Sequence, residues 1–250
     1  MRKHILLSAV LLLWSFASPN STAQDKPSPV AANLVVNDAT NPVPKDANWV
    51  KRHESFVEEA KRGDIDLLFL GDSITDFWRS RGKAVWDKYY APHHAANFGV
   101  SGDRTQHLLW RIEHGELDGI KPKVVVLMIG TNNTKQNGRQ INNPPEVIEG
   151  ITVIVKEIRT RLPESKILLL GVFPRAEKGD SLRDQVGEIN TAIAKLADGK
   201  MIKYLDIGPK FLQPDGTLPK DVMPDLLHPN ANGYQIWADA MEPTLAEMMK

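Results

Sequence analysis

The chain of 250 residues contains no cysteine. This absence excludes disulfides, thiolate metal sites and a cysteine nucleophile, and it is compatible with an oxidising compartment. An excess of one charge sign is also lacking: 31 basic residues balance 31 acidic ones, so neither nucleic-acid binding nor a charged tail is indicated. Apolar residues make up 42%, enough for a core, and the length suits one large domain better than two.

Long apolar runs are lacking except near the N-terminus. Basic residues at positions 2–4 precede an apolar stretch at 5–16, and Ser21-Thr22-Ala23 offers the small residues of a cleavage site. We therefore predict that residues 1–23 are an export signal and that the mature protein is periplasmic or secreted, without a membrane span. An uncleaved anchor is the alternative, although the stretch is short for a spanning helix.

Residues 24–46 contain four prolines and are predicted to form a linker or an arm on the surface of a domain at 47–250. Within that domain, short apolar runs alternate with segments of helical periodicity, which favours an α/β fold with a parallel sheet covered on both faces. The predicted strands are 66–70, 95–100, 124–129, 167–172 and 202–207, and the predicted helices are 49–62, 105–114, 146–162, 182–196 and 231–249.

Gly71-Asp72-Ser73 directly follows the first predicted strand. Sites in parallel sheets form at the carboxyl ends of strands, so this serine would face a cleft. Serine is a weak nucleophile and needs a neighbouring base that is itself held by a third group. Taken alone, the segment is equally typical of a turn that caps a helix.

Polar turns also follow the second and third predicted strands. In Ser101-Gly102-Asp103, the glycine would let a backbone N–H approach a ligand closely. In the turn at 130–133, the side-chain amide of Asn132 could donate to a developing oxyanion. The N–H groups of Ser73 and Gly102 and the Asn132 amide are thus three candidate donors, although ordinary turns would explain the last two segments as well.

Asp225 and His228 lie three residues apart near the C-terminus. At this spacing the carboxylate can accept from one ring nitrogen while the other faces Ser73. We therefore predict Ser73 as nucleophile, His228 as base and Asp225 as its orienting partner. No pair of histidines or acids has the spacing of a zinc site, so no metal or other cofactor is predicted.

Four blocks of the chain resemble those of the SGNH, or GDSL, hydrolase superfamily: Gly71–Thr75, Gly102, Asn132 and Asp225–His228. Further segments extend the resemblance to the catalytic subunits of intracellular platelet-activating-factor acetylhydrolases, over about residues 64–246: 97–105, 107–111, 115–117, 120–124, 130–133, 174–178 and 182–183. The resemblance implies a three-layer α/β/α, flavodoxin-like fold with a five-stranded parallel sheet. It also implies ester hydrolysis through a serine acyl-enzyme, with Gly102 and Asn132 in the oxyanion hole.

The chain departs from those relatives where they commonly read Gly-Gly-Asp-Thr-Thr, because residues 101–105 place Arg104 in this turn. Arg104 and Asp72, the neighbour of the predicted nucleophile, are candidate substrate contacts. Arg104 paired with a surface carboxylate is the alternative.

The expected activity is hydrolysis of short acyl esters, acetyl by the resemblance, on a carbohydrate or another small molecule. A lysophospholipase or thioesterase with the same triad is the nearest alternative, and a non-catalytic carbohydrate-binding module is a third. Related proteins can dimerise, so a homodimer is an open alternative for which the sequence indicates no interface.

Overall fold

The structure is a computed structural model that describes residues 37–250. The predicted export signal and the first part of the proline-containing segment lie outside the described residues, and both stay predictions. Among the helices of residues 37–250, none has both the length and the apolar character needed to cross a membrane.

Five parallel strands form a central sheet. The strands within residues 37–250 are β1 Leu67–Gly71, β2 Ala95–Gly99, β3 Val124–Met128, β4 Lys135–Gln136, β5 Arg139–Gln140, β6 Lys166–Leu170 and β7 Ile202–Leu205. The sheet order is β2-β1-β3-β6-β7, which is flavodoxin-like, and β4 pairs with β5 in a small separate hairpin. Every residue of β1 and β3 is buried, as expected of central strands covered on both faces.

Helices cover both faces of the sheet: α1 Ala47–Lys61, α2 Ser73–Asp76, α3 Lys83–Tyr89, α4 Thr105–Arg111, α5 Thr131–Thr134, α6 Pro144–Arg161, α7 Ser181–Ile193 and α8 Ala231–Met248. One apolar cluster joins the sheet to α1, α4, α6 and α7. A second joins its other face to α2, α3 and α8. The predicted three-layer α/β/α fold with five parallel strands is therefore confirmed.

Helical periodicity predicted the long helices within a few residues. In α1, the residues expected on one face, Trp49, His53, Phe56 and Ala60, are the buried ones, and Asp46 caps the helix by accepting from the Asn48 and Trp49 N–H groups. The short helices α2, α3 and α5 and the hairpin were not predicted, because they contain too few residues to show a period.

The described end of the proline-containing segment packs against the domain. The carbonyl of buried Ala39 accepts from Thr105 Oγ1 at 2.8 Å, and the Val43 N–H donates to the Gln106 carbonyl at 3.4 Å. These contacts place residues 37–46 against the start of α4, where the turn after β2 also lies.

A fully buried arginine joins the ends of the two strands that carry the site. Arg111 Nη1 donates to the Phe98 carbonyl of β2 at 2.9 Å, and Nη2 lies 3.4 Å from the Gly71 carbonyl of β1. Nε donates to the Asp103 carboxylate at 3.0 Å, and Nη1 also pairs with Glu116. Burial acts to lower the pKa of the Arg111 guanidinium, but the two carboxylates outweigh it and raise that pKa.

Replacing Arg111 with methionine would leave Asp103 and Glu116 buried without their main cation. We expect the free energy of unfolding to fall by about 3–5 kcal/mol in urea denaturation. Arg161→Met is the matched control, because it breaks only the half-exposed pair of Arg161 with Glu157 and should cost less than about 1 kcal/mol. Similar losses in the two variants would contradict this account of Arg111.

Candidate active site

Three side chains from distant parts of the chain form one hydrogen-bonded line at the carboxyl edge of the sheet. Ser73 begins α2 directly after β1, and its Oγ lies 2.9 Å from Nε2 of His228. The other ring nitrogen, Nδ1, lies 2.7 Å from Oδ2 of Asp225. A carboxylate only accepts hydrogen bonds, so it holds the proton on Nδ1 and leaves Nε2 to accept from the serine hydroxyl. The structure thus brings together the three residues predicted as a triad.

A tight turn holds the imidazole and its carboxylate in register. Asp225 Oδ1 accepts from the backbone N–H groups of Leu227, at 3.1 Å, and His228, at 2.7 Å. Leu226 between them has φ +56°, and its carbonyl accepts from the Ala176 N–H at 2.9 Å, which ties the turn to the loop after β6. Partial burial acts to raise the pKa of the Asp225 carboxyl, but the hydrogen bonds from His228 and Leu227 outweigh it and lower that pKa.

Helix α2, which begins with the predicted nucleophile Ser73, packs directly on β2. A Cβ on Gly99 would lie 2.4 Å from the Asp76 backbone nitrogen, so only glycine permits this approach. Asn97 bridges the two elements, because its amide donates to the Thr75 carbonyl while its oxygen accepts from the Gly99 N–H, both at 2.9 Å. From the far side, the buried Tyr234 hydroxyl donates to the Ile74 carbonyl at 2.6 Å.

Asp72 is completely buried, which corrects its prediction as a substrate contact. Its Oδ1 caps α2 by accepting from the Ile74 N–H at 3.0 Å, while Oδ2 has no hydrogen-bond partner within residues 37–250. Burial raises the pKa of this carboxyl to about 7, helped by the charge of Asp103 and opposed by the Ile74 N–H and Arg175. Asp72 therefore acts on the nucleophile only through the helix that it caps.

The three predicted oxyanion donors lie on adjoining turns. The Ser73 N–H is at the first position of α2, where a helix has no internal acceptor. The Gly102 N–H donates to no group of residues 37–250, and Gly102 has φ +75°. Asn132 Nδ2 donates one hydrogen to the Asp103 carbonyl at 2.9 Å and retains a second. Asn132 is thereby fixed to the turn that contains Gly102.

The turn of Asn132 is braced from two sides. Asn133 accepts from the Thr105 N–H at 2.9 Å and donates to the Asn142 side chain at 3.0 Å. Arg175 Nη1 donates to the Thr131 carbonyl at 2.7 Å. In the sequence, Arg175 falls within segment 174–178 of the resemblance, and no pattern there indicates that it reaches the asparagine turn.

Arg104 lies with its guanidinium 3.9 Å from the Asp38 carboxylate and its side chain 22% exposed. Its backbone N–H donates to His107 Nδ1 at 3.0 Å, and burial lowers the pKa of that imidazole to about 3. This placement fits the alternative of a pair with a surface carboxylate, and a contact between Arg104 and substrate stays a prediction. Within residues 37–250, no cluster of three or more histidines and acids could hold a metal ion.

A five-stranded sheet of this order with a serine–histidine–aspartate line at its carboxyl edge is the arrangement of an ester hydrolase. The chain belongs to the GDSL-like lipase/acylhydrolase family, whose model matches residues 69–236. It is 38% identical over 200 residues to the alpha2 subunit of platelet-activating factor acetylhydrolase IB from Rattus norvegicus, covering 78% of this chain and 82% of that protein. The human alpha1 subunit is 34% identical over 219 residues, covering 85% and 91%.

Solved structures share the fold. A GDSL-like lipase from Bacteroides thetaiotaomicron has a TM-score of 0.61 at 20% identity, covering 78% of this chain and 97% of its own. A catalytic mutant of an acetylxylan esterase from Geobacillus stearothermophilus has a TM-score of 0.58 at 21% identity, covering 73% and 93%.

The raised pKa of Asp72 predicts a pH dependence of stability. Between about pH 4 and pH 7 the unfolded chain ionises this carboxyl while the folded chain keeps it protonated, so stability falls as pH rises. Asp72→Asn removes that titration but keeps an oxygen for the Ile74 N–H. From pH 5 to pH 8, the variant should therefore gain about 2–3 kcal/mol relative to the wild type in urea denaturation. A difference between the two proteins that does not change with pH would refute this origin.

Proposed function

We propose that this esterase hydrolyses short acyl esters, acetyl groups on a carbohydrate or another small alcohol, with Ser73 as its nucleophile. The observation that carries the proposal is the continuous hydrogen-bonded line from Ser73 through His228 to Asp225. In this line Asp225 can accept from Nδ1 of His228 while Nε2 accepts from the Ser73 hydroxyl, which is the arrangement that acyl transfer needs at its start.

In the proposed reaction, Ser73 Oγ attacks the ester carbonyl carbon while His228 Nε2 takes the hydroxyl proton. The carbonyl oxygen becomes an anion that accepts from the N–H groups of Ser73 and Gly102 and from the Asn132 amide. When the intermediate collapses, His228 returns the proton to the departing alcohol and an acyl-enzyme remains. Water then attacks the acyl-enzyme with His228 again as base, which releases the carboxylic acid and restores the serine. Asp225 stabilises the imidazolium in both halves.

Two observations support a short acyl group. Ser73 is 6% exposed and Asn132 is 7% exposed, so only a small part of either side chain is accessible from solvent. The relatives at 34–38% identity are named as acetylhydrolases, and one solved structure of the same fold is named as an acetylxylan esterase. Those names describe the relatives, and they favour acetyl over longer chains as the group to test first.

The setting of the enzyme rests on the sequence alone. We propose an exported, periplasmic or secreted enzyme on the pattern of residues 1–23. In that setting an acetylated carbohydrate is a reasonable substrate. A homodimer is proposed only by analogy with related proteins.

Purified protein should hydrolyse p-nitrophenyl acetate faster than butyrate, octanoate or dodecanoate, with no effect of a chelator. Ser73→Ala should lose kcat by at least about 10⁴-fold, because only binding and the oxyanion donors would remain. Ser55→Ala is the matched control, since this serine lies exposed on α1 and bonds only to the Arg52 carbonyl. It should retain full activity.

A rate that peaks at octanoate or dodecanoate would favour the lysophospholipase alternative and overturn the preference for acetyl. Ester hydrolysis that survives in Ser73→Ala would overturn the role of this serine. If p-nitrophenyl acetate is hydrolysed fastest, acetylated xylo-oligosaccharides and acetylated monosaccharides are the next substrates to test. Release of acetate from either identifies the class of alcohol.

A further inference from the structure

The turn at residues 101–103 carries Gly102, one of the predicted oxyanion donors. Each of its three successive carbonyls accepts a hydrogen bond from a side chain. The Ser101 carbonyl accepts from Lys45 Nζ at 3.3 Å, and the Gly102 carbonyl from Gln136 Nε2 at 2.9 Å. The Asp103 carbonyl accepts from Asn132 Nδ2 at 2.9 Å. These three donors come from the segment before α1, from the hairpin and from α5, so the turn is fixed from separate parts of the fold.

The Ser101 carbonyl and the Gly102 N–H belong to the same peptide group. A trans peptide is planar, and its C=O and N–H point in opposite directions, so a donor on the carbonyl side sets the direction of the N–H on the other side. A charged donor also polarises the group and strengthens the hydrogen bond that its N–H can give. We propose that Lys45 is a positioning residue: it orients the Gly102 N–H toward the oxyanion and polarises that peptide group. This proposal rests on the proposed function.

Glycine at 102 makes such a brace necessary. Gly102 has φ +75° and lacks the side chain that would restrict its backbone, so its flanking peptides can rotate easily. The space that a Cβ would occupy is bounded by Lys45 Nζ at 3.3 Å and Gln136 Nε2 at 3.5 Å. Both polar side chains therefore lie against the Cα of Gly102, and Lys45 is the only one of the two that carries a charge.

A purely structural role for Lys45 is the competing account. Its Nζ lies 3.6 Å from Asp103 Oδ1, but that oxygen already accepts from Trp49 Nε1 at 2.7 Å. The other oxygen of Asp103 is held by Arg111 at 3.0 Å. Since the lysine side chain is 28% exposed, its contribution to stability as an ion pair should be small. The two accounts differ in what they predict for catalysis.

Kinetics of Lys45→Met, Lys45→Arg and Lys51→Met separate these accounts. Lys51 is an exposed lysine on α1 and serves as the matched control. We expect Lys45→Met to lower kcat by about 10- to 100-fold with KM within twofold, less than the 10²–10³ for loss of an oxyanion donor itself. Lys45→Arg should recover kcat to within about threefold of the wild type, and Lys51→Met should match the wild type. Melting temperatures of all four proteins should agree closely.

A second readout needs no ester substrate. An alkyl fluorophosphonate forms a bond from phosphorus to Ser73 Oγ while its P–F bond breaks, with fluoride leaving and His228 accepting the hydroxyl proton. The phosphoryl oxygen develops charge at the same donors. The rate of Ser73 labelling, measured by mass spectrometry, should therefore fall in Lys45→Met by a factor similar to the loss in kcat.

Equal labelling rates in the wild type and Lys45→Met would overturn the proposal even if no ester were hydrolysed. A kcat loss accompanied by a lower melting temperature, and not recovered by arginine, would also overturn it in favour of the structural role. Failure of the proposed function is distinct, because it would appear as absence of ester hydrolysis by the wild-type protein.

Discussion

The site depends on one buried charge. Arg111 reaches the carbonyls of Gly71 and Phe98, at the ends of β1 and β2, and pairs with Asp103 in the turn that follows β2. Ion pairs between fully buried groups tolerate little change in geometry, since a buried partner left unpaired is very costly. The nucleophile turn and the glycine turn are therefore fixed relative to each other before substrate arrives. This is the condition under which hydrogen-bond donors stabilise a transition state without reorganisation.

The other supports extend the same rigidity to the remaining parts of the site. The Asn132 side chain, the third predicted oxyanion donor, is hydrogen-bonded to the Asp103 carbonyl. Because Arg111 holds Asp103, it also fixes the position of Asn132. The imidazole is held differently, through the turn at Asp225 and a bond from Ala176 to Leu226. The turn that holds the imidazole is thus a different one from the turn that carries Gly102. The predicted nucleophile Ser73 contacts this imidazole directly, with its Oγ 2.9 Å from Nε2.

Sequence patterns predicted the fold well, because buried strands such as 124–128 and one-sided helices such as α1 leave strong periodic signals. The site residues were predicted from motif positions, which mark Ser73 and His228 directly. Sequence patterns could not predict which polar side chains near the site are buried. Arg111 lies in segment 107–111 of the resemblance, yet only its place on the apolar side of α4 could have suggested that it is buried. Asp72 was predicted as a substrate contact from its place beside Ser73, and the motif does not reveal that its side chain is completely buried.

The order of the parts along the chain has a consequence for biosynthesis. Ser73 and His228 are separated by 155 residues, and Tyr234, which holds the nucleophile's helix from behind, comes later still. When a ribosome has made the first four strands of the central sheet, up to β6, the chain contains Ser73 without His228 and helix α2 without Tyr234. A chain that ends before residue 228 therefore lacks the imidazole of the predicted triad, and one that ends before residue 234 also lacks the hydroxyl that holds the start of α2.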